Sequence, residues 1–532
     1  MGWSLVVKNG SVVDGSGVPA VRADVALDGD RIAAVAPGLT GEAARVIDAA
    51  GLIVAPGFID MHAHSDFFYL QCPSAESKVR QGVTTEVVGM CSFSPAPVHP
   101  ERKQLLERLA SALGSRLAVE WTSFGEYLQR LATSGPSINV AHFVGHGALR
   151  LAAMGADDRP PTAGELKAME QLLHEALDAG AFGFSTGLVY PPSVYARTDE
   201  LIALARSLAP RGGLYFSHIR GEAATLEEAI LEAIRIGEEG GVPVQIAHIK
   251  AAGRENWAKM DRALRLIDEA RARGVEVTAD VYPYTAGSTV MVNLLPPWVH
   301  AGGLPKLLER IVDLPTRKRV LDECTLPGDR WRTASGSAGW EDVRIATCSR
   351  RELEGLTIAE LAHRRGRPGR ETMLDFLHEE KGEVSMILFS QAEENVIKAL
   401  AHPQVMIGSD SIGLSAGPGP HPGRPHPRMY GTFPRILGVY VREKKVLAWE
   451  NAVAKMTGMA AMKLGLPGRG LLRPGYFADL ALFDPATVRD KATYEDPHRH
   501  PTGIPYVIVN GQVVVDQGLM HALPAGRILS PR

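Results

Sequence analysis

The chain has 532 residues, of which 45% are hydrophobic and 22% are charged, with a formal net charge of -3. A single hydrophobic core stops growing well below this length, so we expect one large domain with a smaller companion, or several domains. There is no basic excess that would suit a polyanion, which argues against a nucleic acid partner. No signal peptide and no apolar run of membrane-spanning length is evident, so no membrane partner is expected.

Four cysteines occur, and they are too few and too scattered for a disulfide framework. A reducing cytoplasm is therefore the predicted location. A cysteine with a special role is then expected to be a metal ligand or a nucleophile. The four are Cys72, Cys91, Cys324 and Cys348.

Both ends of the chain have the pattern of short strands joined by tight turns. Residues 1–55 contain Asn9-Gly10, Asp14-Gly15 and Asp28-Gly29, dipeptides that tolerate the positive φ of hairpin turns. The same signature returns near the other end at Asn510-Gly511. We predict that residues 1–55 and 466–532 contribute to one small β-structure.

Between these ends, apolar strands alternate with amphipathic helices, the pattern of parallel βα units. Thr162-x-x-Glu165 and Thr225-x-x-Glu228 are capping boxes that open helices, and further helices are expected over 198–210 and 257–273. Eight candidate strands predict an α/β fold of the (β/α)8 barrel type over residues 56–465. These strands are PGFIDMHAH, TTEVVGMC, INVAHFVGHG, AFGFSTGL, LYFSHIR, PVQIAHIK, EVTADVYPY and VMIGSD.

One part of the central region departs from this pattern. Residues 285–347 are rich in Pro, Gly and Trp, and we interpret them as an insertion. The segment SMILFS at 385–390 is an additional strand without an assigned position. The domain boundaries 56–465 therefore include a segment that does not belong to the repeating units.

Residues that bind metals collect at the predicted carboxyl ends of the strands, where barrel enzymes carry their catalytic groups. His62 and His64 flank one residue, so both imidazoles point the same way in an alternating strand. Each such residue alone has an ordinary alternative, as a buried apolar thiol, a core histidine or a helix cap. Their shared position predicts a zinc site, because zinc accepts nitrogen, sulfur and oxygen donors. The strand-end residues are His62, His64, Cys91, His142, His146, His218, His248 and Asp410.

Two basic residues follow two of these histidines at strand spacing. Arg220 lies two positions after His218, and Lys250 lies two positions after His248. Each shares a face with its histidine if the strand continues, which indicates a substrate that carries a carboxylate. The alternative for Arg220 is an ion pair with a neighbouring acid such as Glu222.

The segment 417–433, which follows the last strand, is dense in Gly, Pro, His and Arg. Loops at this position determine specificity in barrel enzymes, so we expect the segment to line the mouth of the site, although a plain surface loop is the alternative. Arg424 and Arg428 are candidates for contact with an acidic substrate side chain. His146 is assigned a supporting role near the metal, and no role is assigned to His142.

The histidine pair on the first strand, single histidines on strands five and six, and an aspartate on strand eight resemble the amidohydrolase superfamily, whose members activate water on one or two metals. Over nearly the whole chain, longer segments resemble the N-acyl-D-amino-acid deacylase (D-aminoacylase) family. This resemblance implies that both chain ends form a β-sandwich beside the barrel and that 285–347 is a family insertion. The segments are GVTTEVVGMCSFSPAPV, GAFGFSTGLVYPP, YFSHIRGE, AHIKAAG, DVYPYTAGST, IGSDS and PHPRMYGTFPRILG.

The fourth strand lacks the lysine that bridges two metals, in carbamylated form, in many members of the superfamily. The resemblance implies that Cys91 takes its place and forms a tight zinc site with His218 and His248. A second, weaker metal position then faces His62, His64 and Asp410.

Two departures from the family pattern lie next to ligands. Met90-Cys91-Ser92 replaces Asn-Cys-Gly, and IGSDS replaces IGSDG. Neighbours of ligands tune metal affinity and orientation. The two replacements therefore bear more on substrate preference than on reaction class.

These observations predict a zinc-dependent amidohydrolase that releases a carboxylate and a D-amino acid from a small N-acyl-D-amino acid, with Asp410 as general base and acid. The resemblance supplies the D configuration. It also implies that Lys250, Tyr190, Tyr282 and Ser288 hold the α-carboxylate.

Two alternatives remain at this point: action on another amide, such as an N-acyl aryl amine, a small peptide or a hydantoin-like ring, or an inactive barrel that retains metal. The sequence does not predict the oligomeric state.

Overall fold

The central strands are runs of buried apolar residues separated by helices that cover them, as parallel sheets require. The computed structural model of the protein shows all eight predicted strands, each parallel to its neighbours. The third predicted strand is divided into Asn139–His142 and Val144–Gly145, which belong to different sheets. The structure describes residues 2–112, 114–115, 117–326, 330–333, 336–415 and 423–531.

Two parallel sheets meet edge to edge in this region. Met61 N donates to Ile407 O at 3.2 Å, and Phe182 N donates to His142 O at 2.9 Å, so hydrogen bonds link the sheets at two places. The six-stranded sheet has the order Val405–Ile407, Val277–Val281, Val244–Ile246, Leu214–His218, Gly183–Gly187 and Val144–Gly145. The four-stranded sheet has the order Ile528–Leu529, Asn139–His142, Val83–Val88 and Phe58–Asp60.

The helices pack their apolar faces against these sheets. In the part of the chain that the structure describes, no helix has both the length and the apolar character needed to cross a bilayer. A π-helical segment, Ile436–Glu443, directly follows one α-helix. The α-helices are Glu76–Val79, Lys103–Ala112, Phe124–Thr133, His146–Ala153, Ala163–Asp178, Thr198–Leu208, Leu226–Gly240, Met260–Ala272, Leu304–Val312, Leu314–Cys324, Ile358–Arg365, Gly369–Glu379, Glu393–Ala401, Arg428–Arg435, Trp449–Met456 and Gly458–Leu464.

The two predicted capping boxes have different outcomes. The Thr162 side chain accepts a hydrogen bond from Glu165 N, and the Glu165 side chain bonds back, so this box is formed. The second helix begins at Leu226, directly after Thr225, and ends at Gly240 as predicted, but the Thr225 side chain makes no cap bond. Its φ of -100° and ψ of 23° are not the extended conformation that a cap adopts. The Thr225 side chain instead packs against Gly221: a Cβ atom added to Gly221 would lie only 2.1 Å from Thr225 Oγ1.

The two chain ends share one nine-stranded sheet, in which the strand from the C-terminal part, Leu480–Phe483, pairs with Ile53–Pro56. Asn510 and Gly511 have φ values of 48° and 79° and form the predicted hairpin turn. Asn9-Gly10 is instead a bulge within one strand, where Asn9 has a φ of 64° and the register shifts. The order is Leu519–Met520, Gln512–Asp516, Tyr506–Val509, Leu480–Phe483, Ile53–Pro56, Leu5–Val12, Val21–Asp28 and Arg31–Ala36, with Val46–Asp48 beside Leu5–Val12.

A smaller antiparallel sheet lies apart from the parallel strands and has its own apolar cluster, built from residues between 291 and 388. Its order is Ala286–Val290, Ser385–Phe389 and Val343–Thr347. The strand that the sequence left without a position therefore belongs here. The sheet extends past residue 347, the limit that we predicted for the insertion. A second three-stranded sheet consists of Thr325–Leu326, Arg330–Thr333 and Gly336–Ala338.

Candidate metal centre

Three of the predicted ligands have a backbone conformation that non-glycine residues rarely adopt. Cys91, His248 and Asp410 have φ values of 53°, 32° and 50°. Each follows a parallel strand closely, and left-handed residues turn the chain sharply at these points. Such conformations cost about 1–3 kcal/mol each and cluster at functional sites. The same unfavourable geometry therefore marks three separate strand ends.

These turns bring four donor residues together, with one donor atom from each within 4.8 Å of the others. Cys91 Sγ lies 3.3 Å from His62 Nε2 and 3.7 Å from His248 Nε2. Asp410 Oδ1 lies 3.6 Å from His62 Nε2. A thiol, two imidazoles and a carboxylate thus converge from four strand ends.

A second group of donors shares His248 with the first. It consists of His218, Glu222 and His248. His248 Nε2 lies 3.0 Å from His218 Nδ1. Glu222 Oε1 lies 3.1 Å from His248 Nδ1 and 3.5 Å from His218 Nε2. One carboxylate therefore approaches both imidazoles at the nitrogens that do not face each other.

His64 completes the predicted set. Its Nε2 lies 3.1 Å from Asp410 Oδ1, and its ring centroid is 5.3 Å from that of His62. The strand Phe58–Asp60 ends before either histidine, so the turn after the strand, rather than strand alternation, places the two rings side by side. On the other side of Asp410, Arg428 Nη1 donates to Oδ2 at 2.6 Å.

The electrostatics of the cluster suit a cation. Burial lowers the pKa of the His218 imidazole well below its ordinary value, which leaves the neutral form that binds metals. Burial raises the pKa of the Cys91 thiol, and a bound cation would stabilise its thiolate. Burial alone would raise the pKa of Asp410, but Arg428 and the hydrogen bond with His64 hold that pKa well below its ordinary value.

The residues present fit a zinc ion. His218 Nδ1 and His248 Nε2 face each other at 3.0 Å, while the outer His218 Nε2 is turned toward Glu222 Oε1 at 3.5 Å. The facing ring nitrogens of His218 and His248, with the sulfur of Cys91 beside His248, are donors that zinc prefers. The structure thus brings together the sulfur, nitrogen and oxygen donors that the sequence predicted.

Two acidic residues of the site were not predicted as site residues. Glu222 appeared only as a partner for Arg220, and nothing in its position four residues after His218 revealed its contacts with both histidines. Asp280 Oδ1 accepts a hydrogen bond from His248 N at 2.9 Å and lies 3.3 Å from His62 Nδ1. A charged residue within the buried strand Val277–Val281 was a signal that could have identified Asp280.

The predicted substrate-binding residues lie on one cavity, with one exception. Lys250, Tyr190, Tyr282 and Ser288 all line it together with His218 and His248. Lys250 Nζ donates to Glu222 Oε1 at 2.5 Å and lies 2.7 Å from His248 Nδ1.

Arg220 is the exception. Its guanidinium bonds Glu232 at 2.9 Å and two backbone carbonyls, and it does not line this cavity. The strand Leu214–His218 ends before Arg220, so the alternation that we assumed does not extend to it.

The two remaining histidines lie outside both donor groups. His142 Nδ1 bonds Phe143 O at 2.6 Å, and burial lowers the pKa of His142 to about 4. His146 Nδ1 lies 2.8 Å from Ser193 Oγ, which in turn bonds Ser92 Oγ next to Cys91. His146 therefore belongs to a hydrogen-bond chain that reaches the turn at Cys91.

The loop after the last parallel strand is described only in part, because residues 416–422 lie outside the described residues. Arg428 is paired with Asp410 at 2.6 Å and lines a cavity that also contains His64 and Cys91. Arg424 is exposed, and its backbone N donates to Ala346 O at 2.8 Å.

A fully buried ionic network supports the turns that carry His62 and Asp410. Lys78 Nζ donates to Asp60 Oδ2 and to Ser409 Oγ, both at 2.7 Å, and lies 2.9 Å from Glu86 Oε1. Asp60 Oδ1 accepts a hydrogen bond from Ser409 N at 2.8 Å. The network therefore fixes the residue before Asp410 to the strand that precedes His62.

Comparison with known proteins agrees with this geometry. A family profile described as Amidohydrolase family matches residues 45–515. D-aminoacylase of Alcaligenes xylosoxydans xylosoxydans is 38% identical over 530 residues, which cover 99% of this chain and 98% of the relative. One solved structure is that of a D-aminoacylase with a binuclear metal center, for which one-metal activation and second-metal attenuation are reported. It superposes with a TM-score of 0.84 at 38% identity, and the match covers 99% of this chain and 100% of that one.

A second solved structure is N-acyl-D-glutamate deacylase from Bordetella bronchiseptica, complexed with zinc and a phosphonate inhibitor that mimics the tetrahedral intermediate. It has a TM-score of 0.84 at 36% identity, and the match covers 100% of both chains. Both the profile and these relatives cover far more than half of the chain. The chain therefore belongs to the amidohydrolase family and, within it, to the N-acyl-D-amino-acid deacylases.

Proposed function

We propose that the protein is a zinc-dependent hydrolase that cleaves the amide bond of N-acyl-D-amino acids to a carboxylate and a free D-amino acid. The observation that carries this proposal is the convergence of Cys91, His248 and Asp410, each at a strained strand end, beside a lysine suited to a substrate carboxylate. The activities of the related deacylases supply the D configuration and the N-acyl amino acid class.

Cys91, His218 and His248 would hold the tight zinc ion, and a second, weaker position would face His62, His64 and Asp410. Zinc bound there supplies Lewis-acid polarisation of the amide carbonyl and a more acidic water. Asp280 and Glu222 approach the outer nitrogens of the histidines. Such partners fix the orientation of a ligand ring.

Asp410 is the proposed proton shuttle. Its carboxylate is paired with Arg428 at 2.6 Å, stands 3.6 Å from His62 Nε2 and lines the same cavity as Lys250. It takes a proton from the attacking water and returns it to the amide nitrogen as the C–N bond breaks, so that water and amide become carboxylate and amine.

Lys250 is the proposed anchor for the α-carboxylate, with Tyr190, Tyr282 and Ser288 on the same cavity wall. Its present partner is Glu222, so an arriving carboxylate would share a lysine that is already ordered and buried. Arg220 is left out of this set because Glu232 and two carbonyl groups occupy its guanidinium.

We also propose that the eight parallel strands close into a (β/α)8 barrel over residues 56–465, and that residues 1–55 and 466–532 form a β-sandwich beside it. The hydrogen bonds between the two parallel sheets support the barrel. The sheet shared by both chain ends supports the second domain. The four unpaired cysteines agree with a cytoplasmic location.

Ring-opening amidohydrolase chemistry is less favoured by the site. The strand Gly183–Gly187 carries no lysine for a bridging carbamate. Lys250 favours a substrate with a free carboxylate.

The test is chiral product analysis with zinc-quantified protein. Incubation with the N-acetyl forms of D- and L-methionine and of D- and L-glutamate, and with a hydantoin, should release a D-amino acid only. Release of neither D-methionine nor D-glutamate, or opening of the hydantoin in preference to the linear amides, would reject the proposed function.

A further inference from the structure

Two cavities border the donor cluster and share four of their lining residues. The Lys250 cavity contains Lys250, His218 and His248, and the Phe93 cavity contains Phe93, Cys91 and His64. The wall that both cavities share is formed by Tyr190, Ser288, Thr289 and Asp410. The proposed proton shuttle therefore stands at the boundary between the two cavities.

This arrangement fixes the direction of a bound substrate. An N-acyl-amino acid has its carboxylate one carbon from the amide nitrogen and its acyl chain on the other side of the scissile bond. If Lys250 holds the carboxylate and Asp410 transfers the proton to the amide nitrogen, the amino acid part of the substrate occupies the Lys250 cavity. The acyl chain then extends into the Phe93 cavity, which Lys250 does not line.

The Phe93 cavity has a mainly apolar wall and a volume of about 120 Å³. Its charged side chains, among the described residues, are those of Asp410 and Arg428, which pair with each other at 2.6 Å. Arg428 Nη2 also donates to Ser288 O at 3.0 Å, so the guanidinium is engaged within the protein. The apolar residues of the wall are Phe68, Phe93, Val290, Ile412, Pro425 and Met429.

We propose that the Phe93 cavity is an acyl-binding subsite that selects apolar acyl chains longer than acetyl. The proposal rests on the function proposed above. Each methylene transferred from water to an apolar wall improves binding by up to about fourfold. The gain arises from contacts present before and during the reaction, so it lowers KM rather than raising kcat.

The first test compares N-acetyl-D-methionine with N-hexanoyl-D-methionine, which differ only in the acyl chain. The holoenzyme should have a kcat/KM at least about tenfold higher for the hexanoyl substrate, through KM. Calorimetry adds a readout that needs no turnover, because hexanoate should bind the holoenzyme at least about tenfold more tightly than acetate.

Filling variants test the location. Val290→Trp fills the Phe93 cavity and should reduce the hexanoyl-to-acetyl ratio of kcat/KM at least tenfold. The matched variant Leu388→Trp fills the Lys250 cavity instead, so it should change the ratio between N-acetyl-D-methionine and N-acetyl-D-alanine while the acyl-length ratio stays within twofold.

The outcomes separate the two proposals. Hydrolysis of N-acetyl-D-methionine with no advantage for the hexanoyl substrate would overturn the acyl subsite and leave the proposed function intact. Release of no D-amino acid from either methionine substrate or from N-acetyl-D-glutamate would overturn the proposed function and, with it, the subsite. If both filling variants fail to fold, equal binding of hexanoate and acetate to the wild-type holoenzyme would still overturn the subsite.

Discussion

Two buried polar clusters occupy neighbouring strand ends, and they differ in how fully their groups are satisfied. In the cluster around Lys78, the ammonium meets two carboxylates and a hydroxyl within 2.9 Å. In the donor cluster, His218 Nδ1 and His248 Nε2 face each other at 3.0 Å, and Cys91 Sγ lies 3.7 Å from His248 Nε2, with no cationic side chain of the described residues between them. Both clusters have a cost in desolvation, but only the first is complete within the protein.

The difference shows what each cluster contributes. A buried ion pair with all its partners holds strands together and offers nothing to a ligand. A buried set of donors that lacks partners, and that opens on a cavity, is suited to receive an ion and a substrate. Mutations in the two clusters should therefore have different consequences, the first for stability and the second for chemistry.

The largest expected effect is on turnover. Asp410→Asn removes the proton acceptor and should lower kcat by about 10²–10⁴-fold, while the tight zinc ion stays bound. Steady-state kinetics with metal analysis checks both. The control is Asp490→Asn, which alters an aspartate paired with Arg435 at 3.2 Å outside the cavities and should leave kcat within twofold. Wild-type turnover in Asp410→Asn would remove this residue from the mechanism.

The next effect is on stability. Lys78→Met leaves Asp60 and Glu86 buried without their cation, which should lower the free energy of unfolding by about 3–5 kcal/mol. The matched variant Lys398→Met breaks an exposed pair with Asp261, held at 2.8 Å, and should cost at most about 1 kcal/mol. Urea unfolding measures both. Equal losses would show that burial does not distinguish the two lysines.

A smaller effect is expected on metal affinity. Glu222→Gln removes the negative charge that faces both His218 and His248 and should weaken zinc binding by about 10–100-fold. Competition with a chromophoric chelator measures this affinity. Glu232→Gln changes the partner of Arg220 and should leave zinc binding unchanged. Unaltered affinity in Glu222→Gln would show that Glu222 does not support the ligands.

The smallest effect concerns the helix starts. Thr162→Ala breaks a capping box that is formed, and should cost about 1 kcal/mol of unfolding free energy. Thr225→Ala removes a threonine that makes no cap bond, and should have a smaller effect. Thermal unfolding of the two variants compares the sites. A larger loss for Thr225→Ala would contradict the assignment of the caps.

The order of parallel strands was predictable because strand and helix signals are local. Gly240, where the predicted helix ends, and Gly241 with a φ of 70° show how short-range chemistry sets a boundary. The pairing of Ser385–Phe389 was not predictable, because its partners lie far away in sequence, as in the pair Ala286 and Phe389. A local sequence pattern identifies a strand but not the strand with which it pairs.

The site was predicted where residue type and strand-end position coincide, as for Cys91 and His248. It was missed where a role depends on burial. Lys78 lies in a four-residue helix, and its sequence neighbourhood gives no indication that it is fully buried. Arg220 does not line the Lys250 cavity, because its strand ends at His218 and the alternation assumed from the sequence does not reach it.

Anomalous diffraction at the zinc absorption edge tests the central claim most directly. Crystals of the zinc-loaded protein should show a strong peak within bonding distance of Cys91 Sγ, a ring nitrogen of His218 and one of His248, about 2.0–2.3 Å from each. A peak at another place, or zinc bound there without the sulfur of Cys91, would contradict it.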